Sequence, residues 1–147
     1  MLLHDGTHMI DAINFLVDGA TVFSRRHGRL RSRKGSTFLH GRCRNVPICL
    51  EIGSQRDHLV FEIELSFEAG RIRIGNGVEQ WQVSRESPYY EGYRSLLADE
   101  DSGNEETGYF ATMIEDAVAC VDDANRVPGS SALDALEVMK LIKRFRL

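Results

Sequence analysis

The residues best suited to chemistry lie together near the start of the chain. His4, His8 and Asp11 follow one another at i, i+4 and i+3 spacing, with Asp5 and Thr7 between them. In an α-helix this spacing places side chains on one face, about one turn apart. An imidazole that titrates near neutral pH, held beside a carboxylate at a helix start, is able to take a proton from a substrate hydroxyl. One interpretation of the cluster is therefore an acid/base site.

Two other interpretations fit the same cluster. In the first, the residues only cap and solubilise a helix start, where Asp5 complements the helix dipole. In the second, His4 and His8 bind zinc, because His4-Asp-x-x-His8 imitates the His-Glu-x-x-His motif. Gly6 disfavours zinc, since glycine costs about 1 kcal/mol in a helix interior, and no third ligand is evident. The residues alone leave all three interpretations open.

The elements that must position the cluster are predicted from hydrophobic periodicity. Apolar residues recur at helical spacing from Thr7 to Asp18, with Thr7 as the candidate N-cap and Gly19 as the stop. Alternation with period two over residues 58–68 indicates a strand with one buried face. The other predicted elements are two strands around a turn at 34–36, strands at 46–52, 71–74 and 78–84, and helices at 109–123 and 131–145.

The order of these elements predicts an α+β fold. An initial helix, about six strands and two final helices indicate an open, mostly antiparallel sheet with helices packed on one face. We expect a single domain over residues 1–147, because a chain of 147 residues is long enough to bury a sizeable core. The other sheet face stays open, and we expect it to form a homo-oligomer interface.

Composition excludes several classes of protein. The net charge is -4, and no apolar run approaches the length of about 20 residues that spans a bilayer, so we expect no membrane association. Three cysteines without a Cys-x-x-Cys pair indicate reduced thiols and a cytoplasmic protein. The basic stretch from Arg25 to Arg44 has few aromatic neighbours and no recognised motif, which argues against nucleic acid as a partner. We also expect no metal in this chain.

Several segments resemble the C-terminal domain of the Gfo/Idh/MocA family (glucose-fructose oxidoreductase, inositol dehydrogenase and rhizopine catabolism proteins). Residues 2–11, Leu-Leu-His-Asp-Gly-Thr-His-Met-Ile-Asp, followed by Phe15-Leu16 and Gly19, resemble the opening of that domain. Gly-Arg-Ile-Arg-Ile at 70–74 resembles the strand after its central hairpin, and Ala-Leu-Asp-Ala-Leu at 132–136 resembles the start of its terminal helix. The resemblance implies an open antiparallel sheet with helices on one face.

The resemblance also implies roles for three residues. In the family, a Gly-x-His-x-x-Asp segment supplies a histidine that acts in substrate deprotonation and an aspartate that contacts substrate. These roles fall on His8, as the catalytic residue, and on Asp11, as a substrate-binding residue. Family members often carry an aspartate four residues before the histidine, where this chain has His4, the second expected substrate-binding residue. The implied substrate is a sugar, a cyclitol or a related polyol.

The family's nucleotide-binding half has no counterpart in the sequence. The family binds NAD or NADP on an N-terminal Rossmann domain and takes a lysine from a Glu-Lys-Pro segment there, whereas the prolines here follow Val46, Ser87 and Val127. The Gly-x-Gly at 75–77 lacks a third glycine and joins two predicted strands, so we expect a hairpin.

The resemblance therefore implies the substrate-binding and oligomerisation half of an NAD(P)-dependent oxidoreductase, inactive without the missing Rossmann domain, and with no cofactor site in this chain. Two alternatives stay open. One is a non-catalytic dimerisation or interaction module. The other is a small metallohydrolase that uses His4 and His8.

Overall fold

The predicted α+β class, with antiparallel sheet, is confirmed. The structure is a computed structural model that describes residues 5–28, 36–53, 56–100, 102 and 109–145. Within those residues, seven strands form two antiparallel sheets, ordered β1-β2-β3 and β4-β5-β6-β7. The elements are α1 (Asp5–Val17), β1 (Thr21–His27), β2 (Thr37–Cys43), β3 (Val46–Ile52), β4 (Glu62–Ser66), β5 (Gly70–Gly75), β6 (Val78–Glu86), β7 (Arg94–Ala98), α2 (Tyr109–Asp122) and α3 (Ala132–Phe145).

The division into two sheets follows from β4, which is shorter than the alternating apolar pattern of the sequence around it. Residues 58–68 alternate throughout, but ladder pairing covers only β4, because its partner β5 ends at Gly75. The Phe61 backbone N–H donates instead to Asn76 Oδ1, at 2.9 Å. Residues 59–60 therefore find no strand partner in the described part of the chain, and the ladder that began in β1 does not continue into β4.

The chain divides into two compact units, and the first comprises residues 1–57 and 112–147. In this unit α1 packs on α3 and on β1 and β2, so the helix covers one face of the three-stranded sheet. Ile10 and Leu39 are each only 1% exposed. Burying a side chain of this size stabilises the fold by roughly 1.5–3 kcal/mol. The buried apolar residues of the unit are Met9, Ile10, Phe23, Leu39, Cys43, Leu50, Val138 and Ile142.

The end of α1 is fixed by a Schellman motif. The Gly19 N–H donates to Asn14 O at 3.0 Å, and the Asp18 N–H donates to Phe15 O at 3.2 Å. The helix ends where the sequence predicts, but Asp18 rather than Gly19 takes the left-handed conformation, with φ of 50°. The carboxamide Oδ1 of Asn14 then accepts from the N–H and the hydroxyl of Thr21, at 2.9 and 2.7 Å. The start of β1 is thereby tied to α1.

The second unit, residues 58–111, contains the four-stranded meander. The predicted hairpin at 75–77 is confirmed as a type I′ turn, because Asn76 and Gly77 have φ of 54° and 78°. Trp81 lies opposite Ile72 on the apolar side of the sheet, where its side chain stays 39% exposed. On the other side, Arg73 pairs with Glu64 at 3.1 Å. The prediction of a single domain over residues 1–147 stays a prediction.

The close approach of β1 and β2 depends on Gly41. A Cβ atom at residue 41 would overlap the backbone carbonyl of Val22, which cannot move without breaking the ladder. We therefore expect Gly41→Ala to lower the free energy of unfolding by about 3 kcal/mol, at the upper end of the cost of overpacking. Urea denaturation of the purified chain measures this.

Gly129→Ala is the matched control. A Cβ there would meet Asp116 Oδ2 at 3.6 Å, which is ordinary van der Waals contact. We expect this variant to unfold close to the wild-type urea midpoint. Equal midpoints for Gly41→Ala and the wild type would contradict the account of the β1-β2 approach.

Candidate functional site

The first helix carries the candidate site on its outward side. α1 begins at Asp5, so Thr7 lies inside the first turn and the prediction that it is the N-cap is wrong. Met9 and Ile10 are buried, whereas His8 is exposed and Asp11 is half-buried. His8 and Asp11 are three residues apart in a continuous helix, and their side chains therefore lie on one face. His4, the third predicted residue, lies outside the described residues.

Asp11 is linked to a distant part of the chain. The Ser130 hydroxyl donates to Asp11 Oδ2, at 3.3 Å, across 119 residues of sequence. Ser130 lies in the connection between α2 and α3, just before the last helix. Ser130 is thus a hydrogen-bond partner of Asp11, and the carboxylate has a second oxygen, Oδ1, that can accept a hydrogen bond from a ligand hydroxyl.

The connection that carries Ser130 is held by Asp116 of α2. Asp116 Oδ2 accepts from the Gly129 backbone N–H, and Oδ1 accepts from Arg126 Nη2, both at 2.9 Å. These contacts favour the charged carboxylate. The Gly129 N–H first, and the Arg126 guanidinium second, hold the pKa of Asp116 below its ordinary value.

The start of α3 completes this surface. Asp134 Oδ2 accepts from the Ser131 hydroxyl at 2.6 Å and from its N–H at 2.8 Å, while the Asp134 N–H donates back to the Ser131 hydroxyl at 3.3 Å. This is a capping box with aspartate in the third position. The Ser131 hydroxyl is the largest cause of the lowered pKa of Asp134. Ser131 is thus the cap of α3, which leaves the neighbouring Ser130 to contact Asp11.

The arrangement is suited to binding hydroxyl groups. Asp11 offers a carboxylate oxygen as acceptor, and His8 adds an exposed imidazole that both accepts and donates protons. The described residues contain no group of three or more His, Cys, Asp or Glu side chains that could hold a metal ion. Because His4 is not among them, the zinc interpretation of His4 and His8 stays an untested prediction.

Sequence reasoning missed Ser130 as a neighbour of Asp11. The contact joins residues from the two ends of the chain, and no local pattern marks it.

The Gly-x-Gly at 75–77, in contrast, has the predicted structure. It forms a hairpin turn whose Asn76 side chain accepts from Phe61, so this turn is not a phosphate cradle.

The basic stretch lies partly in β1 and β2. Arg25 pairs across the ladder with His40, and Arg42 pairs with Val22. These side chains occupy the sheet face opposite the buried Leu39. Next to them, the rings of His27 and His40 meet edge to face with centroids 5.7 Å apart. Arg25 and Arg42 therefore lie on an exposed sheet face, while residues 29–35 of the stretch lie outside the described residues.

Comparisons with known proteins show which solved structure has a similar fold. No family model matches the chain, and no curated protein matches it. Among solved structures, a dehydrogenase (MviM) from Clostridium difficile matches with a TM-score of 0.68 at 17% sequence identity. The match covers 99% of this chain and 46% of that one, so the chain spans a little under half the length of the dehydrogenase. The fold of this chain is thus one found in part of a dehydrogenase.

No helix among the described residues is long and apolar enough to cross a membrane. The Gfo/Idh/MocA family itself stays a prediction, because at this level of identity the likeness establishes the fold alone.

The contacts of Asp116 with Gly129 and Arg126 predict how the stability of the fold depends on pH. The folded-state pKa lies below the ordinary value of 3.8, so the carboxylate stabilises the fold above pH 3.8 and this contribution is lost as the pH falls towards the folded-state pKa. We expect Asp116→Asn to be less stable than the wild type at neutral pH, and the difference to shrink below about pH 4. Urea denaturation across this pH range measures it.

Asp122→Asn is the matched control, because Asp122 is an exposed aspartate of the same helix. We expect this variant to follow the wild-type pH profile. A stability difference between Asp116→Asn and wild type that does not change with pH would show that the carboxylate does not act through its charge.

Proposed function

We propose that the chain is the substrate-binding part of an NAD(P)-dependent oxidoreductase that acts on a sugar, a cyclitol or a related polyol. One observation carries this proposal: a match over 99% of the chain to less than half of a dehydrogenase. A chain of this fold, with an outward-facing histidine and carboxylate on its first helix, supplies substrate contacts. The rest of such an enzyme supplies the nucleotide.

In the proposed mechanism, His8 is the acid/base residue. It takes the hydroxyl proton as the substrate alcohol is oxidised to a carbonyl. Asp11, held at Oδ2 by Ser130, accepts a hydrogen bond from a second substrate hydroxyl through Oδ1. His4, four residues before His8 in the sequence, orients a further hydroxyl. A row of acceptors at helical spacing suits a polyol, whose neighbouring carbons each carry a hydroxyl.

The described residues do not fit a dinucleotide. The only Gly-x-Gly of the sequence forms a type I′ hairpin turn rather than the start of a helix, so it lacks the N-terminal amides that bind pyrophosphate. In the proposed enzyme, NAD or NADP therefore binds to a Rossmann domain outside the residues of this chain. No step of hydride transfer is assigned to the residues described.

The partners we propose are that Rossmann domain and a second copy of the chain. The open sheet face is the proposed homo-oligomer contact.

One observation favours the alternative of a non-catalytic interaction module. The outer stripe of α2 is exposed and apolar, and such surfaces are typical of interaction sites. The exposed apolar residues of this stripe are Phe110, Met113, Ile114, Val118 and Val121.

The experiment that tests the proposed function is a polyol titration followed by NMR on the purified chain. We expect myo-inositol, glucose or sorbitol to shift the ring resonances of His8 and the amide signals of Asp11 and Ser130 in a saturable manner. The rings of His27 and His40, which lie on the sheet rather than on α1, serve as internal references. Absence of any saturable shift at His8 with all three polyols would contradict the proposal.

Asp11→Asn tests the role of the carboxylate. Hydrogen bonds to charged groups contribute about 1.5–3 kcal/mol, so we expect the dissociation constant of the polyol to rise about ten-fold or more. The control is Asp18→Asn, at the opposite end of α1, where the carboxylate contacts Arg44. We expect Asp18→Asn to bind the polyol as the wild type does. Equal affinities for all three proteins would exclude Asp11 from the site.

A further inference from the structure

A loop outside the α1 site exposes three tyrosines. Residues 87–93 join β6 to β7, and we call them the tyrosine loop. Tyr89, Tyr90 and Tyr93 are 75%, 67% and 72% exposed. Tyrosine is normally at least partly buried, because its ring carries a large apolar area. Three rings held in water within five residues indicate a surface that contacts something else.

The backbone of the tyrosine loop is held by hydrogen bonds. The Ser87 hydroxyl oxygen accepts from the N–H groups of Tyr89 and Tyr90, at 3.2 and 3.1 Å, and from the Ser95 hydroxyl at 2.7 Å. The ends are joined as well, since the Ser87 N–H donates to Tyr93 O at 2.9 Å. A loop with its backbone fixed in this way loses little conformational entropy when a ligand binds.

The charge of the tyrosine loop disfavours a polyanion. The guanidinium of the adjacent Arg94 is hydrogen-bonded to Ser84. Its Nη2 donates to Ser84 O at 2.5 Å, and its Nε donates to Ser84 Oγ at 3.0 Å. The charged residue within the loop is Glu91, which repels anions. Nucleic-acid and phosphate sites combine aromatic rings with available Lys or Arg side chains. This loop therefore suits a neutral ligand.

The contact area of the tyrosine loop favours a small ligand over a folded protein partner. A tyrosine buries at most roughly 150–250 Å², so three that are partly exposed provide roughly 300–500 Å² of contact. A stable protein interface buries roughly 800 Å² on each partner. The tyrosine loop alone falls well below that area, so it suits a small ligand better than a folded partner.

We propose that the tyrosine loop binds a neutral saccharide, with the phenol rings of Tyr89, Tyr90 and Tyr93 packed against its C–H faces. Sugar rings have an apolar face of axial C–H groups and an edge of hydroxyls. A tyrosine complements both, because its π face contacts the C–H groups and its hydroxyl exchanges hydrogen bonds with the edge. This inference does not depend on the polyol site at α1.

Affinity electrophoresis of the full chain tests the proposal. Native gels contain hydroxyethyl cellulose, galactomannan or glycogen as neutral polysaccharides. We expect at least one of them to retard the wild-type chain relative to a gel without polysaccharide. Tyr89→Ala/Tyr90→Ala/Tyr93→Ala should weaken the interaction about ten-fold or more, since contacting aromatic residues dominate binding energy. Far-UV circular dichroism checks that this variant remains folded.

Two further variants make the result specific. Phe67→Ala removes another exposed aromatic ring of the same unit, 59% exposed, and should be retarded as the wild type is. Tyr89→Phe/Tyr90→Phe/Tyr93→Phe keeps the rings and should retain most of the retardation. Wild-type mobility that no polysaccharide changes, or equal retardation of the triple alanine variant, would overturn the proposal. Binding of a decaproline peptide without any polysaccharide would assign the loop to a protein partner and also overturn it.

Discussion

The burial of one side of α1 is the constraint on which the candidate site depends. Ile10 is 1% exposed, and the helix packs on both α3 and the sheet. An α-helix advances about 100° per residue, so a buried Ile10 fixes the direction of every other side chain of the helix. His8 therefore stays on the exposed side, with Asp11 beside it. A rotation of α1 that buried His8 would expose Ile10 and lose its burial energy, roughly 1.5–3 kcal/mol.

Two contacts at the end of α1 keep the helix in this rotation, and they differ in strength. The ion pair between Arg44 and Asp18 is 2.7 Å long, but the side chains are 61% and 90% exposed. Such pairs contribute about 0–1 kcal/mol. Asn14 makes two hydrogen bonds to the buried Thr21 and joins α1 to the first strand. Loss of a buried hydrogen-bond partner costs about 1–3 kcal/mol, so Asn14 is the stronger of the two links.

Local features were the ones predictable from the sequence. The Asn76-Gly77 hairpin depends on two adjacent residues that tolerate positive φ, and the α+β class depends on periodicities within single elements. The sequence pattern predicts a strand over residues 58–68, but the strand in the structure is shorter. Its partner is β5, and the length of β5 decides where pairing ends. The short edge strand β7 was not predicted, since its alternation spans only five residues.

The candidate site shows the same division between local and distant information. That His8 and Asp11 share a helix face was predictable, because both belong to one helix. Ser130 was not, because its contact with Asp11 joins the first helix to the connection before the last one. The Asp116 contacts that hold this connection are likewise visible only once α2 and the connection are placed together.

A native mass spectrum of the purified chain tests most directly whether α1 carries a polyol site or a zinc site. The spectrum reports the number of subunits and any bound metal at once. The account predicts a dimer or tetramer without metal, since it proposes that His8 and Asp11 bind substrate hydroxyls and that the open sheet face joins copies. A monomer that carries one zinc ion, lost on His8→Ala substitution, would contradict it and assign the cluster to metal.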